Sequence, residues 1–199
     1  MSLDDADRRL LRFFLACVLG RWDEVRRLRA EAPAGEADRS WREALLQVHL
    51  FAGVPRQVEA AGVLEAAGGL GRPDAGEIEG GADVRARGSA LFDRIYAEDS
   101  PAVRAMLARG HPEFERWVLE HAYGRVLSRP GLAPDRRELL AVAALAALGQ
   151  ERQLASHARG ALRCGATQAE IVGALDAVAD LADSPGRIES ARRLIDRMT

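Results

Sequence analysis

"DRRELLAVAALAALGQERQLASH" runs from Asp135 to His157, and its reading decides the fold. Between Leu139 and Leu148 it contains only Ala, Leu and Val. These residues build a helix that is apolar on every side, which is the signature of a central buried helix. The run is about half the length a bilayer span requires. Gly149 ends it, and a second helix follows to Gly165. If the two helices form an antiparallel hairpin, Glu138 lies eleven residues before the turn and His157 eight after it. At a rise of about 1.5 Å per residue these are roughly 16 and 12 Å from the turn, so the side chains can meet. A carboxylate beside an imidazole in an apolar wall orients the ring and raises its basicity, making a general acid/base near neutral pH. The same two residues also admit a structural reading, with Glu138 favoured by the helix dipole and His157 a hydrogen-bonded core histidine.

Outward from this hairpin the punctuation is helical throughout. Thr167 to Glu170 reads as a capping box. Asp183-Ser184-Pro185 starts a last helix to about Arg197. Upstream, Ser100-Pro101 reads as an N-cap with proline at the first helical position, and Gly110 as the stop. His111-Pro112 opens a longer helix, closed by Pro130-Gly131. On it Phe114, Trp117 and His121 share a face that predicts burial. Trp22 and Trp41 fall near helix starts, as core or interface anchors. No stretch alternates with period two, so an all-α protein with no sheet is predicted.

The 199 residues carry a net charge of −2, with no lysine at all. That balance offers nucleic acid or an anionic membrane no electrostatic footprint, and the absence of lysine excludes a Schiff base and a P-loop. Cys17 and Cys164 are far apart and read as core cysteines. No metal site is read, because no pair of histidines has metal-ligand spacing in the sequence. The opening "MSLDDADRRL" is no signal peptide, and a cytoplasmic location is expected.

Two helical copies emerge. Asp7–Leu28 aligns with Asp135–His157, and Leu45–Leu64 with Leu175–Leu194. Arg9 and Leu28 stand in the places of Glu138 and His157, so the halves share a shape and differ in chemistry. The division expected is an abbreviated first copy over 1–66, a glycine-rich linker over 67–88 and a complete copy over 89–199.

Residues 122–171 resemble the carboxymuconolactone decarboxylase family. The resemblance rests on the R-P-G-L turn (Arg129 to Leu132), the arginine-rich opening of the buried helix, the A-L-G turn (Ala147 to Gly149) and the H-x-R-x-A-L segment from His157. "RARGSALFDRIYAEDS" (85–100) is similar to the start of that domain, and "EALLQVHLFAGVPRQVEA" (43–60) to its closing helix pair. One branch, similar to alkylhydroperoxidase D, works through a C-x-x-C. Gln150 and Gln153 occupy those positions here, so the redox cycle has no nucleophile.

The other branch removes CO2 from a carboxylated muconolactone without a cofactor. The resemblance implies His157 as the acid/base with Glu138 behind it, and Arg129, Arg136 and Arg137 as anchors for substrate carboxylates. Gly173 and Asp180 depart from the family's closing helices, whereas Glu43, Gln47, His49 and Phe51 fit them. The site expected is therefore composite, the first copy supplying a wall with Glu43 and His49. In single-domain relatives a second subunit would contribute that wall. A homo-oligomer is expected too, as a trimer of pseudo-dimers or a dimer. Three functions are carried forward: an acid/base lyase on a small carboxylated or lactone substrate, a thiol peroxidase, and a non-catalytic scaffold.

Overall fold

The computed structural model describes residues 3–33, 38–77 and 83–198. Among these residues the chain is helical, with no strand. Four helices come first: α1 (Asp5–Leu19), α2 (Trp22–Glu31), α3 (Asp38–Gln47) and α4 (His49–Ala66). Then follow α5 (Val84–Tyr96), α6 (Ser100–Gly110) and α7 (Pro112–Trp117), which runs on into a π-helical segment, Val118–Leu127. The last four are α8 (Pro134–Leu148), α9 (Glu151–Cys164), α10 (Gln168–Val178) and α11 (Pro185–Asp196).

Helix α8 is the axis of the molecule, with every residue from Arg137 to Ala147 buried. It stops as a helix without polar side chains must, at a glycine. Gly149 takes the left-handed conformation (φ 72°), and the N–H groups of Gly149 and Gln150 bond back to the carbonyls of Ala146 and Leu145. The α1–α2 turn has the same construction. Gly20 has φ 73°, with bonds from Gly20 and Arg21 to Cys17 and Ala16. An arginine from a later helix lies over each turn, Arg56 over Gly20 and Arg187 over Gly149. The predicted capping box is present, with Thr167 accepting from the Glu170 N–H and Glu170 from the Thr167 N–H.

One hydrophobic core joins α1–α4 to α8–α11, including Phe13, Phe14, Trp41, Leu140, Leu145, Ile171 and Leu175. Phe13 and Trp41 stack at 4.4 Å. A smaller cluster gathers Phe92, Ile95 and Tyr96 of α5 with Leu119 and Tyr123 of the π-helical segment and Cys164 of α9. There α5 and the π-helical segment cross backbone to backbone. A Cβ on Gly88 would overlap the Leu119 carbonyl, and one on Gly124 the Val84 carbonyl.

Several local expectations are corrected. Helix α5 starts at Val84, so 84–88 is helix and not linker. Gly88 serves close approach rather than flexibility, and the two uses look alike in sequence. The described part of the expected linker is also pinned. Leu70 enters the core, Arg29 donates to the Gly69 carbonyl at 2.9 Å, and Arg42 grips the Glu77 carboxylate at 2.6 and 2.9 Å. Residues 78–82 lie outside the described residues. Ser100 sits inside α6, its hydroxyl donating to Asp93 at 2.5 Å, and Asp99 takes the cap position. Gly110 is the last residue of α6 rather than its left-handed stop. His111 follows in an extended conformation and caps α7 by accepting the Glu113 N–H. Phe114 and Trp117, predicted to be buried, are about half exposed.

Candidate active site

Helix α8 carries Glu138 near its start and α9 carries His157 at its middle. The α8–α9 hairpin brings the carboxylate Oε2 within 2.9 Å of His157 Nδ1. Glu138 is almost fully buried, and the imidazole keeps 12% of its surface. Gly160, one turn beyond His157, makes this possible. A Cβ there would fall 2.6 Å from Glu138 Oε2 and 2.8 Å from Ile95. Burial opposes a charge on His157, but the negative charge of Glu138 and its hydrogen bond outweigh it, so the pKa lies above the ordinary histidine value. The carboxylate accepts from Nδ1–H, which leaves Nε2 as the nitrogen that can take or give a proton.

Aromatic side chains close the surroundings. Phe51 of α4 presents its ring edge-on to His157, with centroids 6.5 Å apart. Tyr123 donates to the Tyr96 hydroxyl at 3.2 Å in the smaller cluster. Burial pushes both phenols up, and the charge of Glu138 adds to this. The wall expected from the first copy is therefore there, formed by Phe51.

The arginines are placed otherwise than expected. Arg129 grips Glu43 with Nε and Nη2, each at 2.9 Å, and Arg137 reaches the same carboxylate at 2.7 Å. Glu43 and Arg137 are each about 1% exposed. Gln47 completes the knot, donating to the Arg137 carbonyl at 2.9 Å. Arg136 points into another network, meeting Glu170 at 3.0 Å and Asp7 at 3.2 Å, where it ties α8 to α10 and α1. All three guanidiniums neutralise carboxylates of the protein itself. Glu43 is thus a counter-ion at the R-P-G-L turn rather than a group beside His157.

His49 is brought to His121 instead of to the Glu138–His157 pair, Nε2 to Nε2 at 2.7 Å. Sequence reading placed His121 in the core, but it is exposed. Tyr96, Tyr123 and Gly160 were not singled out in the sequence. Nothing in the spacing of the tyrosines signals their meeting, whereas a glycine inside an α9 that otherwise reads as good helix was a usable sign. The cysteines are free and buried, and burial pushes the Cys164 thiol up to about 11 and that of Cys17 further. Gln150 and Gln153 are exposed.

Comparison with known proteins agrees with this architecture. Residues 112–196 match the family model described as carboxymuconolactone decarboxylase family. Over 59 residues the chain is 39% identical to 4-carboxymuconolactone decarboxylase of Acinetobacter baylyi, a match covering 30% of this chain and 44% of that protein, less than half its length. Over 150 residues it is 27% identical to Peroxisomal protein 2 of Schizosaccharomyces pombe, covering 73% of this chain and 70% of that one. Through its residues 112–196 the chain belongs to the carboxymuconolactone decarboxylase family.

Proposed function

We propose that the protein is a cofactor-independent acid/base lyase acting on a small carboxylated or lactone compound, with His157 moving the proton and Glu138 orienting it. One observation carries this reading: a carboxylate–imidazole pair at 2.9 Å, with the carboxylate desolvated and the imidazole still touching solvent. Breaking a carbon–carbon or carbon–hydrogen bond next to a carbonyl leaves an enolate, and protonating that carbon needs an acid whose pKa lies near the working pH. His157, raised by Glu138, has that property. Arg129, Arg136 and Arg137 are engaged by protein carboxylates, so the reading rests on the proton-transfer pair alone. A thiol mechanism is disfavoured, since both cysteines are buried and their thiols are held neutral.

The test is turnover of a panel of carboxylated lactones by wild type and by His157→Ala and Glu138→Gln. A loss of about 100-fold or more in kcat with unchanged folding supports the enzyme. An inert wild type with a His157 resonance that ignores every compound supports the scaffold instead.

Further parts of the reading stand as proposals. The matching left-handed turns at Gly20 and Gly149 support a duplicated helical unit. Self-association is tested by the mass of the protein in solution, and a cytoplasmic site by fractionation. Among the described residues no helix is long and apolar enough to cross a membrane.

A further inference from the structure

Helix α4 is broken at Gly53, whose backbone (φ 80°, ψ 163°) lies outside the helical region, two residues before Pro55. In a straight helix Gln57 would stand about 12 Å along the axis from His49. The break folds it back, so that Gln57 Oε1 meets His49 Nδ1 at 2.7 Å. The Gln57 carbonyl oxygen fixes the proton of His49 on Nδ1 and leaves Nε2 as a lone pair. That nitrogen faces Nε2 of His121, which comes from the π-helical segment 72 residues later in the chain.

We propose that His49 and His121 form a two-imidazole site for a divalent transition metal of the zinc, nickel or copper type, joining α4 to the π-helical segment. Imidazole suits these ions, and a ligating histidine characteristically donates its other ring N–H to a carbonyl, as His49 does to Gln57. Two nitrogens on a tetrahedral zinc at its usual bond length are about 3.4 Å apart. The observed 2.7 Å opens to that by a small rotation of His121, which is exposed and free to turn. On metal binding the proton between the rings moves to His121 Nδ1, so neither ring changes its charge.

The surroundings hold His121 neutral. Burial, His49 and Arg125 all lower its pKa, which keeps its lone pair available near neutral pH. Among the described residues no group of three or more His, Cys, Asp or Glu side chains converges on one point. Solvent or an outside ligand therefore completes the coordination on the exposed side of His121. This inference is independent of the lyase reading, since neither histidine belongs to the Glu138–His157 pair.

The experiment is a titration of the whole chain with zinc alone, followed by calorimetry and by histidine ring nitrogen resonances. One equivalent is expected to bind, shifting Nε2 of His49 and His121, and saturating zinc raises the thermal midpoint. His121→Gln, on an exposed side chain, abolishes binding without loss of fold, and Gln57→Ala weakens it about tenfold. His111→Ala and His157→Ala leave it intact. No shift at millimolar zinc means the rings only share a proton, and overturns the proposal. Binding that survives in both His121→Gln and His49→Gln overturns it as well.

Discussion

At the scale of single residues, the chemistry is decided by which charge finds which partner. The folded pKa of His157 is raised above its unfolded value, so its charged form stabilises the fold fully below about pH 6.5 and that contribution disappears as pH rises through the folded pKa. Urea unfolding of wild type and Glu138→Gln at pH 6 and pH 8 is therefore expected to show the larger difference at pH 6. An equal difference at both would mean that the pair does not titrate as a pair. Glu43→Gln is predicted to cost more, about 3–5 kcal/mol, because it leaves the Arg129 and Arg137 cations at the buried knot without their carboxylate. By contrast Asp176→Asn, which opens the exposed pair with Arg192, is expected to change unfolding by less than about 1 kcal/mol. The Glu138–His157 meeting was legible because hairpin geometry converts residue counts into heights. The fate of Arg129 and Arg137 was not, because their partner Glu43 is about ninety residues away and nothing local announces it.

At the scale of elements, glycine carried two meanings that spacing alone does not separate. Gly149 and Gly165 were read as helix stops and have the required left-handed backbone, with φ of 72° and 113°. Gly88 was read as linker and is the contact point of two helices. Gly88→Ala and Gly124→Ala are each predicted to destabilise by about 1–3 kcal/mol or more, since backbone and not a side chain must yield. Thermal unfolding measures this. A neutral Gly124→Ala would mean that the α5 crossing is looser than the geometry requires. The amphipathic and apolar helices themselves were plain in the sequence, because burial of α8 is written in its composition. The π-helical register of 118–127 was not, since its apolar residues also satisfy an α-helical pattern.

For the whole molecule, the shared core has a consequence for folding. Phe13, Phe14 and Trp41 from the first four helices and Leu140, Ile171 and Leu175 from the last four belong to one cluster. Unfolding is expected to be a single transition, coincident by far-ultraviolet dichroism and tryptophan fluorescence. A fragment of residues 84–198 is expected to aggregate or remain unfolded, because it would expose the face of α8 that α1 covers. Two separate transitions, or a soluble folded fragment, would show that the halves are independent. The family likeness and the all-helical class were both readable, being carried by patterns repeated along the chain. The composite wall was readable in outline, but Phe51 and not His49 stands at the imidazole.

The ten π-helical residues also make chain length itself a control. Shortening Val118–Leu127 by one residue would let it relax to ordinary α-helix and turn all that follows by about 100° about the axis. Arg129 would swing away from Glu43, and Tyr123 from Tyr96. A deletion there acts as a rotation rather than a gap, so this stretch should tolerate substitution far better than any change in the number of its residues.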